Sequence, residues 1–149
     1  MMSYNSATGD INRLAKSKNL TTFYEELASN SLPQWIWVTP NMTSDGHDSS
    51  ITVAGEWARN FMEPLLSNEN FNMDRTLVIL TFDECENYLA ENRVLAVLLG
   101  SAVSDGLVGT TNSTRFDHYS LSKTAEDNWD LGNLGKNDVG AASLSVVLG

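Results

Sequence analysis

The chain has 149 residues, of which 42% are apolar or aromatic, and 19 acidic side chains against 9 basic ones give it a formal charge of −10. This length allows one domain with a real hydrophobic core, and the composition excludes a disordered chain. Because binding to nucleic acid or anionic lipid without sequence preference requires a basic surface, the charge argues against both partners.

The amino-terminal residues 1–19 are polar and mixed in sign, which predicts a surface lead-in ahead of a domain that covers residues 20–149. This lead-in has no apolar segment that could serve as a secretory signal, and no apolar run of the chain is long enough to span a membrane. Cys85 is the only cysteine, so no disulfide can form within the chain. Its acidic neighbours argue against a reactive thiolate and favour a packing role.

The first half of the chain predicts a helix, a strand and a second helix. Leu20, Phe23, Tyr24 and Leu27 follow a helical period, with Thr21 or Thr22 as the cap and an end near Asn30 and Ser31. Aromatic and β-branched residues then predict a buried strand over residues 34–39, which Pro40 ends. Apolar residues between Ala54 and Leu65 form one face of a helix over residues 50–66, with Ser49 or Ser50 as its cap and Pro64 expected to kink or end it.

The second half predicts two more strands and one helix. Residues 76–82 are a continuous apolar run, which is typical of a strand that is buried on both faces of a parallel sheet. A second apolar run covers residues 92–99, residues 101–117 have the composition of a loop, and residues 118–129 partly fit a helical period. Strands that alternate with helices indicate an α/β fold.

Two adjacent acids, Asp83 and Glu84, follow the strand at residues 76–82 directly, and Glu86 lies close behind. Ligands of open α/β sheets bind beyond the carboxyl ends of the strands, and carboxylate oxygens suit hard cations. Because adjacent carboxylates repel each other, a bound cation would relieve them. The pair is therefore a candidate metal site, and a solvated acidic turn is the alternative.

Two further loops carry the only histidines of the chain. In Asp45-Gly46-His47-Asp48, which leads into the second helix, an anion could bind at the helix N-terminus with help from His47, or the loop could be an Asx-type turn with His47 exposed. His118 begins the last predicted helix, where it could bind a metal or could simply start the helix.

Four blocks of the sequence resemble the carboxyl-terminal part of the fungal secreted acid phosphatases, from about Leu20 to Asp138. They are SLPQWIWVTPNMTSDGHDSS, TLVILTFDE, NRVLAVLLG and FDHYSLSKTAEDNWDLGNLG. Those enzymes belong to a phosphoesterase family that also includes bacterial phospholipases C and acid phosphatases, within the alkaline-phosphatase-like superfamily. The resemblance implies the carboxyl-terminal portion of an α/β/α sandwich, a phosphate ester as substrate and a divalent metal ion as cofactor.

Residue by residue, the resemblance implies that Asp83 and Glu84 bind the catalytic metal and that His47 contacts the substrate phosphate. Asp45 and Asp48 belong to the same block as His47, and His118 matches a block that is expected near the site. Secretion in the family would also make Asn19, Asn41 and Asn112 acceptors for N-linked glycans, since each begins an Asn-Xaa-Thr sequon.

The family's hydroxyl nucleophile and its Glu-Asn metal-binding pair lie in an amino-terminal half that has no match in this chain. No catalytic residue is therefore assigned, and the resemblance implies a fragment of a metal-dependent acid phosphatase that is inactive alone. The alternative is a non-catalytic acidic domain, derived from such an enzyme, that binds a cation or a partner.

Overall fold

The computed structural model describes residues 4–73, 75–87 and 89–148. In this part of the chain, α-helices accompany one small two-stranded sheet, so the predicted α/β composition is confirmed. The chain divides into two compact units, Met1–Asn72 and Met73–Gly149. The boundary between a lead-in and a domain at residues 19 and 20 stays a prediction.

The regular secondary structure of the first unit, over its described residues 4–72, consists of helices. Its helices are α1 (Asn5–Thr8), α2 (Ile11–Leu14), α3 (Leu20–Ala28) and α4 (Ile51–Leu66). The first two fall in the predicted lead-in, where the carboxylate of Asp10 caps α2 by accepting hydrogen bonds from the amides of Asn12 and Arg13. Local capping thus forms a short helix in a segment without an apolar face.

Helix α3 begins and ends close to the predicted positions, but its cap differs. The side chain of Asn19 accepts a hydrogen bond from the amide of Thr22 at 3.0 Å, so Asn19 and neither threonine is the N-cap. Asn is as good an N-cap as Ser or Asp, and at position 19 it leaves Thr21 and Thr22 inside the first turn. The helix ends at Ala28, followed by Asn30 in the left-handed conformation.

Helix α4 confirms the predicted boundaries and the Ser50 cap, whose hydroxyl accepts from the amide of Val53 at 3.4 Å. The helix continues through Pro64 for two residues and ends at Leu66, so Pro64 does not end it, and the kink that was the other expectation stays a prediction. Pro64 only deprives the Asn60 carbonyl of its usual donor, a loss that is tolerable near the end of a helix.

The core of the first unit lies between α3 and α4. Phe23 is buried and its ring centroid lies 5.9 Å from that of Phe61, which in turn stacks on Trp57 at 5.1 Å. Leu65 is 2% exposed, and Ala54 and Met62 are also buried. The apolar face that the sequence predicts for α4 is therefore the face that packs.

The predicted strand at residues 34–39 is wrong for this structure. The segment forms neither strand nor helix, and the side chains of Trp35, Ile36, Trp37 and Val38 are 37–57% exposed. A strand is stabilised by pairing with a neighbouring strand, and the one sheet among the described residues consists of two other segments of the chain. Apolar composition alone could not reveal that the partner was missing.

The second unit contains the sheet, which is antiparallel. Strand β1 (Val78–Thr81) pairs with β2 (Ala96–Leu99), with Val78 opposite Leu99 and Thr81 opposite Ala96. Both predicted strands exist but are shorter than predicted. The parallel pairing and full burial expected for residues 76–82 are wrong, because β1 has one described neighbour and its residues are only half-buried.

The carboxyl-terminal part of this unit packs around α5 (His118–Trp129). Short 3-10 turns, which the sequence did not predict, lie at Asp105–Leu107, Asn137–Gly140 and Leu144–Val147. The hydroxyl of Thr124 on α5 accepts a hydrogen bond from the amide of Leu144 at 2.8 Å, which ties the last turn to the helix. None of the described helices is long and apolar enough to cross a bilayer.

Candidate functional site

The acid pair lies in the loop that joins β1 to β2. Asp83 and Glu84 follow the end of β1 within three residues, and both side chains are exposed. One carboxylate oxygen of Asp83 accepts a hydrogen bond from the amide of Glu84 at 3.0 Å. The predicted position beyond the carboxyl end of a strand is therefore confirmed, although the sheet has a different arrangement.

The side chain of Asn92 fixes the backbone of this loop through two hydrogen bonds. Its side-chain oxygen accepts a hydrogen bond from the amide of Cys85 at 2.7 Å, and its side-chain nitrogen donates to the carbonyl of Asp83 at 3.0 Å. The amide side chain thus makes the pair of bonds that a neighbouring strand would make to residues 83–85. Sequence reasoning missed Asn92, since nothing in its neighbourhood distinguishes it from other loop asparagines.

The Cys85 thiol lies within the same loop, where it is half-buried. It donates to the carbonyls of Asn87 and Glu91, at 3.5 and 3.7 Å. These contacts agree with a packing role for the only cysteine.

An open depression of about 290 Å³ lies beside the acid pair. It is lined by Asp83, Glu84, Cys85, Asn87, Ala90 and Asn92. Two carboxylates and two amide side chains are oxygen donors that suit a hard divalent cation, so the residue types fit a metal. The number of donors is small, because the described residues contain no group of three or more His, Cys, Asp or Glu side chains arranged to bind a metal.

The loop Asp45-Gly46-His47-Asp48 is a tight turn ahead of α4. The carboxylate of Asp45 accepts a hydrogen bond from the amide of His47 at 2.8 Å, which is an Asx turn. Gly46 has a φ of +93°, a conformation that favours glycine. The amide of Asp48 donates to the carbonyl of Met42 at 2.8 Å and closes the loop. The turn that the sequence left as an alternative is therefore present.

The imidazole of His47 projects from this turn beside Asp48. Its Nδ1 lies 3.0 Å from a carboxylate oxygen of Asp48, and the two side chains are 65% and 58% exposed. A carboxylate at Nδ1 favours the tautomer with the proton on that nitrogen. The arrangement suits an imidazole that donates to an anion when it is protonated.

The hydroxyls of Ser49 and Ser50, which follow His47 in the sequence, have structural partners. Ser49 donates to the carbonyl of Thr43 at 2.6 Å, and Ser50 caps α4. Neither hydroxyl has the geometry of an activated nucleophile, which would donate to a base.

His118 is the first residue of α5 and is exposed. The same helix is capped by Asp117, whose carboxylate accepts from the amide of Ser120 while the Ser120 hydroxyl accepts from the Asp117 amide. His118 does not line the depression beside the acid pair. Its position supports the simpler alternative of a helix-start residue.

The six residues singled out from the sequence fall in different units. Asp45, His47 and Asp48 lie in the first unit, whereas Asp83, Glu84 and His118 lie in the second. The expected convergence of His47 with the acid pair on one face stays a prediction.

A second pair of carboxyl groups, which sequence reasoning did not single out, lies between α5 and the following turn. Asp138 is fully buried and accepts hydrogen bonds from the amides of Leu134 and Lys136, at 2.7 and 2.8 Å. Burial opposes ionisation of Asp138, but these backbone bonds outweigh it and hold the pKa of the carboxyl below its usual value.

Glu126 faces Asp138 and shows the opposite shift. Burial, reinforced by the negative charge of Asp138, raises the pKa of the Glu126 carboxyl, and Lys123 offsets only part of this. The Oε2 atom of Glu126 is buried and has no hydrogen-bond partner among the residues that the structure describes. The pKa values of the two carboxyls are therefore shifted in opposite directions.

Comparison with known proteins identifies one family across most of the chain. The model of the phosphoesterase family matches residues 2–132. No solved structure matches the chain.

Curated fungal proteins match nearly the whole chain. It is 49% identical to the phosphate-repressible acid phosphatase of Penicillium chrysogenum, over 97% of this chain and 35% of that protein. It is 45% identical to an acid phosphatase of Aspergillus fumigatus and 44% identical to a probable acid phosphatase of Kluyveromyces lactis, again over 97% of this chain. The chain therefore spans about a third of the length of the relatives that it matches.

Proposed function

The chain belongs to the phosphoesterase family, and on that premise we propose that it is the metal- and phosphate-binding part of an acid phosphatase that hydrolyses phosphoric monoesters. The observation that carries the proposal is the identity of 44–49% to fungal acid phosphatases over 95–97% of the chain. We propose the alkaline-phosphatase-like α/β/α sandwich as the fold of the whole enzyme.

In this proposal Asp83 and Glu84 bind a divalent metal ion. A metal ion in such a site lowers the pKa of a hydroxyl and neutralises phosphate charge. The chain's own contribution is to hold the two carboxylates at the end of β1, in a loop that Asn92 braces. With two carboxylates where a hard cation takes about six oxygen ligands, we expect weak affinity in this chain alone.

His47 would bind the phosphoryl oxygens of the substrate. Its carboxylate neighbour Asp48 lies 3.0 Å from Nδ1, and an imidazolium donates a charge-assisted hydrogen bond to phosphate. The Asx turn at Asp45 fixes the backbone amide of His47, so the ring is presented from a defined position. We propose no direct role for His118.

We further propose that the whole enzyme is secreted and that Asn19, Asn41 and Asn112 accept N-linked glycans. All three asparagines are exposed, and each uses its side-chain oxygen to accept a backbone amide, from Thr22, Ser44 and Thr114. The side-chain nitrogen, which is the atom that a glycan modifies, is not needed for these turns.

The rival function is a non-catalytic acidic domain that binds a cation. To separate the two, the 149-residue chain is titrated calorimetrically with Mg²⁺, Mn²⁺, Zn²⁺ and Ca²⁺, each with and without inorganic phosphate. We expect weak cation binding that the double variant Asp83→Asn, Glu84→Gln abolishes and that phosphate strengthens. Glu86→Gln is the control, because Glu86 lies in the same loop but does not line the depression.

Cation binding that depends on Asp83 and Glu84 but is indifferent to phosphate would favour the rival domain. Cation binding that survives the double variant would show that Asp83 and Glu84 are not the metal ligands, whichever of the two functions the chain has.

A further inference from the structure

Two carboxyl groups of the second unit meet where α5 packs on the 3-10 turn that follows it. Glu126 lies on α5, and Asp138 lies on the turn Asn137–Gly140. Asp138 is 0% exposed, and the Oε2 atom of Glu126 is buried without a hydrogen-bond partner among the described residues. Because buried polar atoms in folded proteins nearly always have a partner, this contact requires a chemical explanation.

The carboxylate of Asp138 organises the loop that leads from α5 to this turn. One of its oxygens accepts a hydrogen bond from the amide of Leu134 at 2.7 Å, and the other accepts from the amide of Lys136 at 2.8 Å. Residues 131–137 are all exposed, so apolar burial contributes little to holding the loop against the helix. The contact between Asp138 and Glu126 therefore matters for how the loop is attached to α5.

A single proton changes this contact from repulsive to attractive. A carboxylate can only accept hydrogen bonds, whereas a protonated carboxyl has one O–H to donate. When both groups are ionised, two negative charges face each other without a donor between them. When Glu126 is protonated, its carboxyl donates a charge-assisted hydrogen bond to the carboxylate of Asp138.

The groups around the pair favour Glu126 as the carrier of this proton. Burial and then the charge of Asp138 raise the pKa of Glu126, Lys123 lowers it, and Asp127 raises it further. The ammonium of Lys123 donates to the Asp127 carboxylate at 2.6 Å, which directs its charge to that exposed group. Burial opposes ionisation of Asp138, but its backbone hydrogen bonds outweigh this and lower its pKa. The other turn packed on α5, Leu144–Val147, has no charged side chain.

We propose that Glu126 and Asp138 share one proton and form a pH-sensitive latch, which fastens the loop of residues 131–137 to α5 in acid and releases it as the pH rises. Because the pKa of Glu126 is raised, the latch is closed below the usual value of 4.5 and opens as the pH rises through the folded pKa. Because the pKa of Asp138 is lowered, the acceptor loses its charge only as the pH falls through its own folded pKa. This inference goes beyond the proposed function, since the latch requires neither metal nor substrate.

The experiment measures backbone hydrogen exchange of the 149-residue chain by NMR, from mildly acidic to neutral pH, with rates expressed as protection factors. The reporters are the amides of Leu134 and Lys136, which donate to Asp138. The reference is the amide of Leu144, which donates to the hydroxyl of Thr124 in the same unit and is not part of the latch.

Three variants accompany the wild type. Glu126→Gln keeps an N–H donor at every pH, whereas Glu126→Leu is similar in size and cannot donate. Asp130→Asn is the matched control, because it removes one exposed negative charge from the end of the same helix. Glu126→Gln preserves the shape of the side chain, so its comparison with the wild type decides the outcome even if Glu126→Leu does not fold.

The proposal expects the protection of Leu134 and Lys136 to fall roughly tenfold between acid and neutral pH in the wild type and in Asp130→Asn. Glu126→Gln should stay protected across the whole range, and Glu126→Leu should be poorly protected even in acid. The latch is overturned if wild-type protection does not change with pH, or if Glu126→Gln loses protection as the wild type does. A parallel loss at Leu144 would also overturn it, because the response to pH would then involve the whole unit.

Discussion

The side-chain amide of Asn92 donates a hydrogen bond to the backbone carbonyl of Asp83, over 3.0 Å, across the loop that carries the acid pair. The same amide group accepts from Cys85, so both sides of Glu84 are fixed by one residue. In the metal site that we propose, Asn92 would hold the two carboxylate ligands in position from behind.

We predict that Asn92→Ala loosens this loop without unfolding the sheet. Each lost hydrogen bond contributes about 0.5–1.5 kcal/mol, so the amide of Cys85 should exchange with solvent roughly tenfold faster, as measured by hydrogen exchange and NMR. Asn87→Ala is the control, because the Asn87 side chain accepts from Leu89 and does not contact the Cys85 amide. Unchanged exchange at Cys85 in Asn92→Ala would show that the bridge does not brace the loop.

Stability should depend on pH in opposite ways at Asp138 and Glu126. Because the pKa of Asp138 is lowered in the fold, its contribution is present above its usual value of 3.8 and is lost as the pH falls through the folded pKa. Because the pKa of Glu126 is raised, its contribution is present below its usual value of 4.5 and is lost as the pH rises through the folded pKa.

We therefore predict that Glu126→Gln is more stable than the wild type at neutral pH, by an amount that disappears as the pH falls below the usual range of a glutamate. Asp138→Asn should be less stable at neutral pH, because Leu134 and Lys136 donate to different carboxylate oxygens and the NH2 group that replaces one of them cannot accept. The deficit should shrink in acid. Thermal melting from acid to neutral pH measures both differences. If the difference in melting temperature between Glu126→Gln and the wild type did not change with pH, the raised pKa of the Glu126 carboxyl would be contradicted.

The helices were predictable because their signals are local. The Ser50 cap and the apolar period from Ala54 to Leu65 specify α4 within its own residues. The irregular structure of residues 34–39 was not predictable in this way. An identical apolar run forms a strand only when another segment supplies the hydrogen bonds. For the same reason the direction of pairing between β1 and β2 could not be predicted from either strand alone. The acid pair was found from its position after an apolar run, whereas Asn92 became visible only through contacts nine residues away from Asp83.

Leu65→Ala tests whether the face predicted for α4 stabilises the first unit. Leu65 is 2% exposed, so its truncation should lower the free energy of unfolding by about 2–5 kcal/mol. Leu20→Ala in the same unit, where the side chain is 39% exposed, should cost much less. Urea unfolding followed by circular dichroism compares the two, and equal losses would show that Leu65 is not a core residue.

Inorganic phosphate should perturb His47 more than His118. The chain has two histidines, so their imidazole resonances can be assigned with Asp48→Asn and His118→Asn variants. A phosphate titration should shift the His47 signals, and Asp48→Asn should weaken that shift. A larger shift at His118 would place phosphate at α5 and would count against the assignment of His47.

We propose that this chain carries metal and phosphate ligands of a phosphatase but does not turn over a phosphate ester by itself. A nucleophile must lie within about 3–3.5 Å of phosphorus and opposite the leaving group, and the hydroxyls of Ser49 and Ser50 are bonded into the loop and the helix cap instead. The most direct measurement is hydrolysis of an aryl phosphate by the purified 149-residue chain, from acid to neutral pH, with and without added divalent metal. We expect little or no turnover under any of these conditions. Robust turnover that disappears in Asp83→Ala would contradict the account, because the chain would then be a complete enzyme.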